Sequence, residues 1–401
     1  MTVTDAPATT EEQRVADLVD ELLEKFPPKS TDPVTFLGEQ FDRGLAWVHF
    51  PVGHGGLDVN PKLQKNVNER LFAAGAPNSA YRNPIGYGMC GPTVVGWGSE
   101  EQKRRYLRPL FTGEEIWCQL FSEPGSGSDF AGLSARGVKD GDEWIVNGQK
   151  VWTTLAHLAK WGLLVVRTDP EAVKHAGLTA FVVDMRAPTV EVRPLRQITG
   201  EAEFNEVYFT DTRIPDSERL GQPGDGWRVS LTTLMNERVS IGGTIPAKGS
   251  GPVATLVKTW KDLPAERRDA ATLDSVMKLW IRAEVLRLTN IRANQMRKMG
   301  DPGPEGSIGK AASADLNKDI WEAVVDLLGA DGLLYGSYEM VRPETAMGYD
   351  TPQKAFLRSR ANSIEGGTTE VMKNILGERV LGLPGDVRVD RDVPWSQVPR
   401  N

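Results

Sequence analysis

The hydrophobic period changes twice along these 401 residues, and that double change limits the folds open to the chain. Up to about Glu115 apolar residues recur at helical spacing. Val15, Leu18, Leu22 and Phe26 line one side of residues 11–26, and further helices are expected at 36–45, 61–74 and 98–111. Ser99, ahead of Glu100 and Glu101, is a ready N-cap for the last of these. From Ile116 the pattern becomes strand-like. Strands are expected at 144–152, 161–167, 178–185, 190–196 and 203–210, with Asn147-Gly148 as a two-residue hairpin turn. After Gly224-Asp-Gly-Trp227 the helical period returns, giving long helices at 227–245, 270–298, 306–330 and 366–381 with a break at Pro302 and Pro304. Strands with no long helices between them do not build parallel crossovers, so the middle reads as an antiparallel sheet or small barrel. The expected class is α+β: an N-terminal helical domain (1–115), a middle antiparallel β-domain (116–225), a C-terminal four-helix bundle (226–385) and a tail (386–401).

At the first change of period stands Gln119-Leu-Phe-Ser-Glu-Pro-Gly-Ser-Gly-Ser-Asp129. Gly125 and Gly127 let the backbone turn tightly and approach a ligand, and Ser122, Ser126 and Ser128 offer hydroxyls beside it. No Lys-Ser/Thr follows, so this is not a Walker phosphate loop, and the glycine spacing is not that of a dinucleotide fold. Taken alone it reads equally well as a Gly/Ser surface loop.

Composition removes several classes of function. A net charge of −7 argues against broad attraction to nucleic acid or anionic membrane, although a local arginine cluster is enough for an anionic ligand. Two cysteines (Cys90, Cys118) and four histidines (His49, His54, His157, His175) show neither zinc-site spacing nor a disulfide framework, so no metal is expected. Met1 to Glu12 lacks the basic and apolar regions of a signal peptide, and no apolar run reaches the ~18 residues of a membrane span. A cytoplasmic location is expected, with no membrane span.

The stretch from Trp227 holds a second anomaly. Trp227, Leu231, Leu234 and Ile241 form an apolar stripe at about 100° per residue, with Arg238 in its middle and Glu237 on its edge. Charges on such a face are either paired or functional. One reading is a salt bridge; the other is a base in an apolar cleft beside a cation that meets an anionic ligand. Periodicity does not separate them.

Six motifs, in order, make the chain resemble the acyl-CoA dehydrogenase family over nearly its full length. They are Gly53-His-Gly-Gly-Leu57, Gly98-Ser-Glu-Glu-Gln-Lys-Arg-Arg-Tyr-Leu107, Ser122-Glu-Pro-Gly-Ser-Gly-Ser-Asp129, Asn147-Gly-Gln-Lys-Val-Trp-Thr-Thr154, Leu234-Met-Asn-Glu-Arg238 and Glu365-Gly-Gly-Thr-Thr-Glu370. The resemblance implies FAD between the β-domain and the C-terminal helices, which also form the oligomer core. It implies that Phe121, Ser122, Trp152 and Thr154 bracket the isoalloxazine ring and that Thr368 also contacts the cofactor. Ser128 would lie near the flavin pyrophosphate or the ligand's phosphate end, and Arg238 and Gly366 near the substrate.

The implied chemistry is α,β-desaturation of an acyl-CoA: a carboxylate takes the α-proton while hydride leaves the β-carbon for the flavin. A desolvated base raises its pKa towards the operating pH. The family places that base at either of two sites. Aligning on Gly367-Thr368 puts Gly366, not a glutamate, at the first, with Glu365 one residue early; the isovaleryl and long-chain type places it where this chain has Glu237. Glu237 is the expected base and Glu365 the alternative. The expected partner is an electron-transfer flavoprotein, and the expected assembly a homodimer, a homotetramer or a heterotetramer with a related subunit. The chain departs from the family where an Arg followed by Phe-Gly usually reaches a neighbouring subunit's flavin. Leu256-Val-Lys-Thr-Trp-Lys-Asp-Leu-Pro-Ala-Glu-Arg-Arg268 has no Phe-Gly, and Asp326 replaces a usual Gln. Two alternatives follow: a non-catalytic or half-site subunit, or an oxidase or flavin monooxygenase on the same scaffold.

Overall fold

The computed structural model describes residues 10–242, 245–298, 305–344, 351–387, 390 and 392–399, with the side chains of 237–242, 297–298 and 305 outside that description. The N-terminal region holds α1 (Glu11–Lys25), α2 (Pro33–Asp42), α3 (Leu63–Ala73), α4 (Ser79–Arg82), a π-helical turn (Gly86–Cys90), α5 (Gly91–Trp97) and α6 (Glu100–Thr112). Local chemistry sets the starts. The Asp32 carboxylate accepts from the Val34 and Thr35 amides, so α2 begins three residues earlier than its apolar pattern indicates. Ser99 and Gln102 form a reciprocal capping box at the head of α6, as the sequence predicts for Ser99.

The sheet contains β1 (Trp117–Leu120), β2 (Arg136–Asp140), β3 (Glu143–Thr154), β4 (Trp161–Arg167), β5 (Leu178–Asp184), β6 (Val190–Pro194), β7 (Phe204–Pro215) and β8 (Arg219–Leu220). Their order is β6-β7-β3-β2-β4-β5-β8, with β1 beside β4. Alternation decides which core each residue joins. On β4, Leu163 and Val165 face the helical region with Trp117, Leu107 and Leu110. Leu164 and Val166 face the opposite side with Trp144, Val146, Phe181 and Phe209.

Two expectations about the sheet are corrected. Asn147-Gly148 is not a hairpin turn: β3 runs straight through it, and the turn is Gly141-Asp142, across which Asp140 pairs with Glu143. Asn147 instead bonds to Asp211 in both directions at 2.9 Å, opposite a bulge in the β3–β7 ladder. Gly148 is required by proximity, since a Cβ there would stand 2.5 Å from that of Ala135. The pairing is also not wholly antiparallel, because β1 runs parallel to β4. The β2–β3 hairpin lies in the connection between them and takes the place of a crossover helix.

The C-terminal region contains α7 (Gly226–Gly242), α8 (Pro252–Asp262), α9 (Ala270–Lys298), α10 (Glu305–Leu328), α11 (Pro352–Ser359) and α12 (Thr369–Arg379). Leu316, Ile320 and Val324 of α10 pack with Val253 and Leu256 of α8 and Val276 of α9. Helix α12 starts three residues later than expected, because Gly366 (φ 63°) and Gly367 (φ 92°) are left-handed and Thr368 caps it. Pro302 and Pro304 lie outside the described residues.

Helix α7 also corrects the sequence reading. Its buried face is Gly226, Val229, Ser230 and Thr233, while Leu231 is exposed. Apolar periodicity misses this face because Ser230 and Thr233 are satisfied locally, donating to the carbonyls of Gly226 (2.6 Å) and Val229 (3.1 Å). Ile241 and the charged pair have their side chains outside the described residues.

Gly148→Ala is expected to lower stability by about 1–3 kcal/mol, read as a fall in denaturation midpoint. Gly96→Ala, in a helix with open space at its Cβ position, is expected to leave stability unchanged or raise it by up to about 1 kcal/mol.

Candidate active site

The loop after β1 is held to the sheet by one buried ion pair. Lys150 is 0% exposed and its Nζ lies 2.8 Å from the Glu123 carboxylate. Glu123 also accepts from the Ser134 amide (2.7 Å), the Ser134 hydroxyl (2.9 Å) and the Ala135 amide (3.0 Å). Lys150 donates as well to the Phe121 carbonyl, and the Val151 amide donates to that of Ser122. Burial alone would push the Glu123 carboxyl up, but the ammonium and the two amides outweigh it and hold the group below the usual carboxylate range. Burial draws the Lys150 ammonium down, with Glu123 opposing that shift. The sequence reading gave neither residue a role. A lysine on an inward-facing position of β3 was the available signal.

Beyond Glu123 the chain turns back on itself. The amides of Glu123 and Ser126 each donate to the other's carbonyl at 3.0 Å, and the Ser126 hydroxyl donates to the carbonyl of Asp129. Ser128 is exposed at the tip. Phe121 does not present its ring: it is buried and stacked on Phe130 at 5.0 Å, which stacks on Trp227 at 6.0 Å. This ladder ties the loop to the first turn of α7, the helix that carries Glu237 and Arg238.

Trp152 is the opposite case. A second bulge interrupts the β3–β7 ladder between Lys150 and Thr153, and Trp152 there adopts φ 58° with 58% of its surface exposed. Left-handed backbone costs a non-glycine residue about 1–2 kcal/mol, and such strain collects at functional positions. The result is a flat apolar ring turned outward from a rigid strand. Its edge meets Phe204 at 5.8 Å.

Phe204 is where the C-terminal loop arrives. The Arg358 guanidinium stands 6.0 Å from the Phe204 ring and holds both oxygens of Glu365, at 3.1 and 2.6 Å. Asn362 donates to the same carboxylate at 2.8 Å. Glu365 is therefore fully engaged. Thr368 caps α12 by accepting from the Val371 amide at 3.1 Å, which leaves its own proton free to donate. Trp152 and Thr154 thus meet Phe204, Thr154 across the ladder, and Glu365 is linked to the same ring through Arg358. The buried hydroxyls of Thr153 and Thr369 have no hydrogen-bond partner among the described residues. Among those residues no three His, Cys, Asp or Glu side chains converge to hold a metal, and no helix is long and apolar enough to cross a membrane.

The helix–sheet–helix order agrees with the flavoprotein dehydrogenase layout that the sequence motifs imply. Comparison with known proteins identifies the family. Models of the N-terminal, middle and C-terminal domains of acyl-CoA dehydrogenase match residues 8–114, 118–212 and 224–381. The chain belongs to the acyl-CoA dehydrogenase family. It is 34% identical over 348 residues, 86% of each chain, to acyl-CoA dehydrogenase IpdE1 of Mycobacterium tuberculosis. It is 37% identical over 344 residues to acyl-CoA dehydrogenase FadE34 of the same organism, spanning 86% of this chain and 45% of that one. Among solved structures, an acyl-CoA dehydrogenase from Geobacillus kaustophilus superposes with a TM-score of 0.70 at 23% identity, over 94% of this chain and 100% of that one. The Tcur3481-Tcur3483 steroid ACAD gives 0.66 at 25% identity, over 96% and 100%.

The protein is an acyl-CoA dehydrogenase, and its family is FAD-dependent. The residues present fit that cofactor: a strained, outward Trp152 suits one face of a flat ring, and the Thr368 hydroxyl keeps a proton to donate to a polar edge.

Removing one member of the buried pair, by Glu123→Gln or Lys150→Met, is expected to cost about 3–5 kcal/mol. Because Glu123 titrates lower folded than unfolded, its contribution is full above the unfolded value of about 4.3 and is lost as pH falls through the folded one. Acid denaturation of Glu123→Gln is therefore expected to start from a lower stability and to fall less steeply below about pH 4 than in the parent.

Proposed function

We propose that Glu237 is the base that takes the α-proton of the acyl-CoA, with Arg238 beside it near the substrate. Trp152 covers one face of the flavin, Ser122, Thr154 and Thr368 donate to its polar edge, and Ser128 meets the pyrophosphate or the ligand's phosphate end. Phe121 contributes through its backbone. Gly366 leaves room for the thioester where a side chain would intrude. FAD, when bound, supplies the hydride acceptor, and an electron-transfer flavoprotein draws the electrons off. The observation that carries the reading is the state of the other carboxylate: Glu365 is committed to Arg358 and Asn362. A carboxylate held at both oxygens by a guanidinium has to break those contacts before it can reach a substrate. The steroid ACAD at 25% identity makes steroid-derived acyl-CoAs the first substrates to try beside short, long and branched chains.

Anaerobic flavin bleaching by the best acyl-CoA tests this. Glu237→Gln is expected to slow it by about 10²–10⁴-fold with FAD retained. Glu365→Gln is expected to reduce the rate by less than about tenfold. Wild-type rates in Glu237→Gln would rule the assignment out.

A second reading, a subunit that shares its flavin site with a related partner, is favoured by one corner of the C-terminal region. Arg267 donates to the Leu327 carbonyl at 2.8 Å, so the segment lacking Phe-Gly meets the end of α10 one residue from Asp326. Nearby, α9 leaves Leu273, Met277, Ile281, Val285 and Leu288 exposed, a stripe that a second subunit, identical or related, would cover. Under this reading the protein expressed alone is expected to hold well under one FAD per chain and to recover it with its partner. A full complement of FAD and full turnover in the lone protein contradicts it.

A further inference from the structure

The tail does not hang free. Trp395 is 9% exposed, with the Arg167 guanidinium 4.4 Å over its ring and its indole N–H donating to the Gly132 carbonyl at 3.4 Å. Arg167, itself buried, donates to the carbonyls of Ala131, Leu133 and Lys174. The backbone joins in. The Trp395 amide donates to Ala172 (3.0 Å), that of Ser396 donates to Pro170 (2.9 Å), and Pro394 bridges to Val173. Lys174, its side chain 9% exposed, lies between Asp129 (2.7 Å) and Asp390. The tail therefore reaches the loop that follows β1 at two points, Gly132 directly and Asp129 through Lys174.

That loop needs an outer anchor. Its inner end is fixed by Glu123, but Gly125 and Gly127 have nothing within 4 Å of their Cβ positions, and Ser128 is exposed. Ordering such a stretch costs about 1–2 kcal/mol per residue, a cost that falls on ligand binding unless the protein has already met it.

We propose that Asp390 and residues 392–398 act as a strap that holds Ser126–Gly132 in its ligand-binding form, with Trp395 and Asp390 as positioning residues. The inference rests on Ser128 meeting a phosphate of the cofactor or ligand, as proposed above. The strap acts on affinity and leaves the reacting atoms alone.

The test uses the full-length holoenzyme with coenzyme A as the probe, comparing Trp395→Ala, Trp395→Phe and Asp390→Asn. Trp395→Ala is expected to speed amide hydrogen exchange over 126–132 by about tenfold or more. The Kd for coenzyme A is expected to rise about fivefold, or FAD to be lost by the same factor, with kcat per bound flavin unchanged. Trp395→Phe, which keeps a ring under Arg167, is expected to restore most of both effects. Asp390→Asn removes one carboxylate without opening the Trp395 pocket, and is expected to give a smaller change of the same kind. Wild-type exchange over 126–132 in both Trp395→Ala and Asp390→Asn overturns the strap, as does faster exchange with coenzyme A affinity and FAD retention intact. Ser128→Ala in the intact chain separates the two claims. If it alters neither affinity nor FAD retention, the assignment of Ser128 fails, while the strap still stands or falls by the Trp395 and Asp390 variants.

Discussion

The Glu123–Lys150 pair holds the arrangement together. A carboxylate and an ammonium 2.8 Å apart, both away from water, are worth keeping only if each finds further partners. Here they do, in the amides of Ser134 and Ala135 and the carbonyl of Phe121. Because Lys150 lies on β3 two residues before Trp152, one interaction sets the loop after β1 and the start of the outward bulge in a single frame. The Phe121–Phe130–Trp227 ladder carries that frame to α7.

Trp152 stands on a strand locked into the sheet, where its strained backbone is tolerated because the β3–β7 ladder holds Lys150 before it and Thr153 after it. The C-terminal loop contributes a hydroxyl at a helix cap and a carboxylate already bound to Arg358, which makes it a supporting wall. The proton chemistry proposed for Glu237 would fall to α7, at the other end of the aromatic ladder.

Much of the fold was readable because period and caps are local. Helix α9 begins where its apolar spacing says, and Ser99 caps α6 as a serine before two glutamates should. What was not readable depends on distant partners. Asn147-Gly148 carries a turn signal, yet the crowding by Ala135 and the bonds to Asp211, which explain those residues, come from elsewhere in the chain. The buried face of α7 escaped because hydroxyls that bond their own helix pack like apolar groups. In the site, Trp152 and Thr368 were legible only through motifs. Periodicity singled out Glu237 and Arg238, while the bonds that occupy Glu365 come from Arg358 and Asn362, whose approach no sequence pattern announces.

The central claim is that Glu237, and not Glu365, moves the α-proton. It is tested most directly by following exchange of the acyl-CoA α-hydrogen with deuterated water on the holoenzyme, read by NMR. The account predicts exchange in the parent and in Glu365→Gln and none above background in Glu237→Gln. Exchange that survives in Glu237→Gln and vanishes in Glu365→Gln would contradict it.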